Sequence, residues 1–266
     1  MKGLGALPSV EITSTPVPRG GDRVDHIQPR TRLITWPMVY AGATHGEYLD
    51  VSRALAETFG STQAQPGTLV VARPDGTARQ IRCRYQDGWE ESGGAGSGIR
   101  WDTVAMTLLA PSPWWTDTEP VVITRQGAAG GVDFLDDYPS VSSSQTLGAT
   151  TVVNPGSVET WPDWTITGPA SQITATNNTT GQTWTLTPST VLGAGVNLAD
   201  GQTITISGDP ITVTGPGASP WEPAIDWANG DLWPLLPGAN DITFTVSGDG
   251  TNTAISAQFY PRYRTA

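Results

Sequence analysis

The sequence predicts a mainly β protein built as two modules, a β-rich N-terminal module with one helix and a C-terminal antiparallel β-sandwich or jelly roll. Three observations predict it. Glycine and proline, 31 and 22 of the 266 residues, interrupt the chain too often for long helices. Most of the intervening segments alternate apolar and polar residues with the period of a strand. The charge divides unevenly: residues 1–120 carry eleven basic and thirteen acidic residues, whereas residues 121–266 carry three and twelve, so the overall charge of −11 sits mostly in the second part.

The N-terminal module, taken as residues 1–110, reads in order as follows. A Gly- and Pro-rich stretch holds a short strand, Val10 to Ser14. Thr31 to Tyr40 is a second strand, alternating Leu33, Thr35 and Pro37 against Ile34, Trp36 and Met38. Pro37 has no N–H for a ladder and fits an edge. Glu47 to Phe59 is the one helix, with Tyr48, Val51, Leu55 and Phe59 as its apolar stripe, Glu47 and Asp50 in the favourable first turn, and Gly60 as a stop. Thr68–Arg73 and Arg79–Tyr85 form a hairpin around Pro74-Asp75-Gly76. Gly93 to Gly98 is a loop, and Ile99 to Leu109 a long strand with Ile99, Trp101 and Thr103 on one face and Val104, Met106 and Leu108 on the other.

Residues 111–120 break the pattern. Pro111, Pro113 and Pro120 prevent regular pairing, and this segment is expected to link the modules, with Trp114 and Trp115 docked against one of them. Residues 121–266 then read as nine strands: 121–125, 145–153, 163–168, 172–177, 182–187, 202–207, 211–214, 241–247 and 253–260. Asn154-Pro155-Gly156, Thr180-Gly181, Gly208-Asp209-Pro210 and Gly248-Asp249-Gly250 supply turns between them. No helix is expected there.

Little in the chain points to chemistry. His26, His45 and Cys83 are scattered, and Cys83 lies in an alternating stretch as a small core residue. No nucleophile elbow or phosphate loop occurs, and Gly93–Gly98 leads into a strand rather than a helix. The adjacent carboxylates Glu90-Glu91 and Asp136-Asp137 point to opposite sides of an extended chain, so neither pair brackets a substrate. Asp249-Gly250-Thr251-Asn252 reads as a hairpin turn, since its single carboxylate is too few for a calcium loop. No enzyme activity, metal or cofactor is expected. The acidic second part is a poor partner for nucleic acid or anionic lipid. The absence of a long apolar run or signal segment predicts a soluble protein that neither spans nor enters a membrane.

Tryptophan is the one excess, at eleven residues. Trp161, Trp164, Trp184, Trp221, Trp227 and Trp233 fall in the second module. Core and interface use is the ordinary role of such residues. The alternative is glycan stacking, which would make the chain a carbohydrate-binding accessory module that attaches to host cell-wall glycans.

The order of motifs is itself informative. Gly3-Leu4-Gly5, Pro29-Arg30-Thr31, the helix Arg53–Phe59, Gly67-Thr68-Leu69-Val70-Val71 and Arg79-Gln80-Ile81-Arg82-Cys83-Arg84-Tyr85 come first. Asn154-Pro155-Gly156, Trp164-Thr165-Ile166-Thr167-Gly168-Pro169, Leu232-Trp233-Pro234-Leu235-Leu236-Pro237-Gly238, Asn240–Ser247 and Tyr260-Pro261-Arg262-Tyr263 follow. This order resembles the distal tail proteins of siphoviruses, bacteriophage tail components often classed as minor tail proteins in phages of Gram-positive and actinobacterial hosts. The resemblance implies a virion structural protein made in the bacterial host cytoplasm and assembled into the tail tip, or baseplate. There the N-terminal domain forms a hexameric ring joining the tail tube to the central hub, or tail-associated protein, and a galectin-like or carbohydrate-module-like sandwich projects outward. It brings no catalytic residue. Within such a ring, Arg79, Arg82, Arg84 and Arg100 are candidates for the subunit interface, facing Asp87, Glu90 or Asp102 of a neighbour. Strand pairing and apolar contact would supply most of the energy. Family members often carry residues ahead of the Gly-Leu-Gly, so the pairing edge of the first strand is open to a neighbouring subunit or another tail protein.

Overall fold

In a computed structural model, the described residues are 1–90, 97–126 and 147–266. They form two compact units: Met1–Thr118 together with Arg262–Ala266, and Glu119–Pro261.

The first unit begins with β1 (Val10–Pro16) and β2 (Asp22–Pro29), which pair only with each other. The chain continues through β3 (Arg32–Ala41), α1 (His45–Ser61), β4 (Gly67–Ala72), β5 (Ala78–Asp87), β6 (Trp101–Ala110) and β7 (Trp115–Asp117). β18 (Arg262–Tyr263) returns from the far end of the sequence, giving the sheet order β18-β7-β5-β6-β3, with β4 also paired to β5. Pro37 lies on β3, the last strand of that order, where its missing N–H leaves no ladder bond unmade. On the outer side of β3, Lys2 bridges to Thr35 through two backbone hydrogen bonds of 2.9 and 3.2 Å. The inner face of the sheet carries Ile34, Ile81, Cys83, Met106, Leu108 and Trp115, all buried.

Helix α1 covers part of this sheet. It starts two residues earlier than its apolar pattern suggests, because Thr44 caps it: its hydroxyl accepts from Glu47 N–H at 3.2 Å, while Glu47 accepts from Ala43 N–H at 2.9 Å. Gly60 does not stop it; the last turn runs to Ser61 and closes through the Thr62 N–H on Gly60 and Phe59 carbonyls. Tyr48 is its one buried residue, Ser52, Leu55 and Phe59 are half-buried on the same side, and Val51, expected on that face, is exposed. Tyr48 stacks on Tyr40 with ring centroids 5.6 Å apart, and Phe59 meets Trp36 edge-on at 6.1 Å.

Two boundaries differ from the sequence expectation. Residues 111–120 are not simply a linker, since β7 pairs with β5 and β18 and Trp115 is buried in the first core. The last five residues belong to the first unit rather than to the sandwich. They form a strap: Tyr263 Oη donates to Asp117 at 2.9 Å, the Arg79 guanidinium lies 3.7 Å above the Tyr263 ring, and Ala266 N–H donates to Leu4 O at 2.9 Å. Arg32 ties these pieces together. Its buried guanidinium donates to the carbonyls of Gly3, Ala6, Pro113 and Arg264 at 2.7–2.8 Å, four acceptors from three distant segments. Burial lowers its pKa from the ordinary value, a cost offset by the four carbonyls that face the charge.

The second unit contains β8 (Val121–Gln126), β9 (Gly148–Asn154), β10 (Asp163–Thr167), β11 (Gln172–Asn177) and β12 (Gln182–Leu186). A single-turn helix α2 (Ser189–Leu192), which the sequence did not predict, precedes β13 (Thr203–Gly208), β14 (Ile211–Gly215), β15 (Ser219–Pro220), β16 (Gly238–Ser247) and β17 (Ala254–Phe259). They make two antiparallel sheets, ordered β15-β14-β13-β10-β17-β8 and β12-β11-β16-β9. Alternate residues of both sheets enter one core: Trp164 and Ile166 from β10, Ile204 and Ile206 from β13, Trp184 and Leu186 from β12, Ile242, Phe244 and Val246 from β16. Trp164 sits at its centre, 5.3 Å from Trp233, 5.5 Å from Phe244 and 6.1 Å from Trp184 by ring centroids, each pair edge to face. This is the predicted sandwich.

Candidate assembly surface

The β1–β2 hairpin is the most unusual feature of the first unit. All of its residues are exposed, and no third strand pairs with it. Its register explains its chemistry. Val10 pairs with Pro29 and Ile12 with Ile27, then a bulge after Thr13 shifts the ladder so that Ser14 pairs with Val24. Val24 and Ile27 are an odd number of residues apart, and a regular strand would set them on opposite faces. The bulge absorbs the extra residue, Asp25, and returns both to the face of Val10 and Ile12. One side of the arm is therefore apolar, with Val10, Ile12, Val24 and Ile27 exposed by 47, 56, 53 and 56 %.

The other side is polar and internally paired. Arg30 meets Glu11 at 2.6 Å and Arg23 meets Asp25 at 2.9 Å, and Thr15 donates to Asp25. These exposed contacts link the two strands on that side and add only about 0–1 kcal/mol each, and an isolated two-stranded hairpin is ordinarily marginal without a supporting layer. At its root Arg30 N–H donates to Ser9 O at 2.8 Å, and a groove of about 410 Å³ opens between residues 3–9 and 30–33, with Leu7, Pro8 and Leu33 on its walls. The floor of the groove is Arg32, so the anchor that joins the three segments of the unit also fixes the base of the arm. The first strand thus finds its pairing partner within its own chain, in β2.

The sequence-predicted interface arginines are placed differently from one another. Arg79 is engaged within its own unit, over the Tyr263 ring and donating to Thr265 O. Arg84 donates to the Gln63 and Ala64 carbonyls just beyond α1. Arg82 and Arg100 are exposed. Of their suggested partners, Asp87 and Glu90 are exposed, but Asp102 is fully buried and cannot meet a neighbouring chain. Two of the four are thus engaged with carbonyls of their own unit and two are exposed. Of the arm, the sequence predicts β1 but not β2, whose period is hidden by the bulge.

The tryptophans of the second unit separate clearly. Trp164, Trp184, Trp221 and Trp233 are buried and offer no face to a ligand, and Trp161 packs against the same core. Trp227 alone of the six is exposed, by 42 %. His26 lies on the arm, His45 at the start of α1, and Cys83 in the core, where burial raises its thiol pKa. Glu91, Asp136 and Asp137 lie outside the described residues. Among the described residues no three His, Cys, Asp or Glu side chains gather as a metal site, and no helix is long and apolar enough to cross a membrane.

No family model matches this sequence, and no curated protein matches it. Solved structures do. The chain is similar to the crystal structure of SPP1 Dit, described as a paradigm of the hub adsorption apparatus in phages infecting Gram-positive bacteria. The TM-score is 0.65 at 13 % identity, covering 97 % of this chain and 90 % of that one. The phage p2 baseplate in its activated conformation with strontium is a further match, at TM-score 0.45 and 10 % identity over 100 % of this chain and 93 % of that one. On the SPP1 Dit match, which spans both units, this chain has a phage distal-tail-protein fold. That is the fold the sequence resemblance implied.

Proposed function

We propose that this chain is a distal tail protein of a long-tailed phage. In this reading it is a structural subunit of the virion tail tip that forms a closed ring, of six copies by analogy, between the tail tube and the central hub. The observation that carries the reading is the fold match to SPP1 Dit across nearly the whole of both chains. The arm supports it from a different direction. Burying half of the area of four aliphatic side chains contributes roughly 3–6 kcal/mol before the entropy cost of association. An exposed arginine–carboxylate pair adds only about 0–1 kcal/mol. Assembly through the apolar arm face thus outweighs assembly through Arg82 and Arg100, whose role is to set register. Head-to-tail contacts of this kind generate rings when the rotation closes. The reading assigns no catalysis to the chain. Negative-stain electron microscopy of the purified protein, with and without its tube partner, tests it: rings of uniform diameter are expected, and monomers under every condition would refute it.

A further inference from the structure

Trp227 lies on a loop whose construction suggests a second role. The loop is hooked at both ends to β12, the outermost strand of its sheet: Asp226 N–H donates to Thr185 O at 2.9 Å and Asp231 N–H to Thr183 O at 3.0 Å. The close seat depends on Gly230, where a Cβ would stand 2.4 Å from Thr183 O. Between the hooks, residues 227–230 bulge outward. Asp226 braces the bulge by accepting from Ala228 N–H at 3.2 Å and from the Asn229 side-chain amide at 2.9 Å. The Trp227 indole Nε1–H donates to Glu222 O at 2.8 Å. The polar edge of the ring is thereby tied down while its body stays in solvent, so the ring is held before anything binds.

This ring borders a groove of about 350 Å³, a volume in the range of small-ligand sites. Gln182, Thr183, Asn229 and Asp231 line it, a set of amide, hydroxyl and carboxylate groups beside one aromatic platform. No lysine or arginine lines it, and residues 121–266 hold three basic against twelve acidic residues. Uronates and phosphates are therefore repelled. An apolar ring beside planar hydrogen-bonding groups, without cations, matches the C–H face and hydroxyl rim of a sugar ring.

We infer that this groove binds neutral hexose units of a surface glycan, stacked on Trp227 and hydrogen-bonded by Gln182, Asn229 and Asp231. The inference stands apart from the ring reading, because every residue involved lies in the second unit and none on the arm. It narrows the glycan-stacking possibility from six tryptophans to one.

The test uses the full chain on an array of neutral oligosaccharides of glucose, galactose and mannose, with oligogalacturonate as the anionic comparator. Wild type and a Trp101→Ala control, which removes the exposed tryptophan of the first unit, should retain the same neutral glycans. Trp227→Ala should weaken retention by about tenfold, roughly 1.4 kcal/mol by conversion. Trp227→Phe should recover part of it. Thermal unfolding of the variants reports whether the fold is intact, and Asp231→Asn gives a second reading of the groove that leaves the loop hooks in place. Failure of wild type to retain any arrayed neutral glycan would overturn the inference. So would retention unchanged in both Trp227→Ala and Asp231→Asn, or preference for oligogalacturonate. A ring that forms but binds no glycan leaves the tail-tip reading intact and removes this one.

Discussion

The two units cover their sheets in opposite ways. In the second, each sheet is the other's cover: alternate residues of both enter a single core around Trp164. In the first, one sheet is covered by a helix that buries only part of its length, and two of its strands, β7 and β18, are too short to stand without the strap and Arg32. Its longest exposed apolar surface, the arm, is left uncovered. A sheet that closes on itself makes a self-sufficient body, whereas a sheet finished by distant chain ends, with a bare apolar arm, is suited to being completed by another chain.

The largest effect should come from the self-sufficient core. Trp164→Ala leaves a cavity among Trp184, Trp233 and Phe244, and should cost about 3–5 kcal/mol in denaturant unfolding. A cost below about 1 kcal/mol would mean that the two sheets are not locked by this cluster.

In the first unit, Arg32→Ala should cost on the order of 3 kcal/mol, because it strands buried carbonyls of three segments at once. Arg32→Lys should recover little of it, since one ammonium cannot reproduce the planar fork of the guanidinium. Near-complete rescue by lysine would show that charge alone, without this geometry, holds the segments.

A smaller, pH-dependent effect isolates the strap. Burial first, and then the Asp117 carboxylate, raise the Tyr263 phenol from 10.0 to about 12. Because the folded state holds this proton more tightly, the associated stability is fully present below pH 10 and is lost as pH rises toward 12. Tyr263→Phe should lower stability by about 1 kcal/mol at neutral pH, the worth of one hydrogen bond, and should flatten that alkaline decline. Denaturation midpoints across the alkaline range check both parts. An equal alkaline decline in Tyr263→Phe would assign the effect to another group.

The sandwich was legible in the sequence because its strands alternate cleanly and its turns are marked by Gly, Pro and Asn. Ile242, Phe244 and Val246, for example, declare their inward face by period alone. The same was true of β3, β5 and β6. Four things were not legible. β2 has its apolar residues spaced by three, and only the bulge opposite Thr13 explains that spacing. The strap pairs residues 262–266 with segments more than a hundred residues away, a distance over which local pattern says nothing. Arg32 looked like any of the thirteen arginines, since a sequence does not show carbonyls converging on a side chain. Likewise Trp227 differs from Trp221 or Trp233 only by lying on a loop outside the sheets.

The smallest effect on folding should accompany the largest effect on assembly. Ile12→Asp combined with Ile27→Asp changes two exposed, cross-strand paired residues of the arm, so unfolding of the isolated chain should shift by no more than about 0.5 kcal/mol. Mass photometry of wild type and this double variant over a concentration series, with negative-stain images of each, is the direct test of the claim that the arm carries assembly. The account predicts closed rings for wild type and monomers for the variant, with equal thermal stability below the assembly concentration. Rings of undiminished abundance in the variant would contradict it.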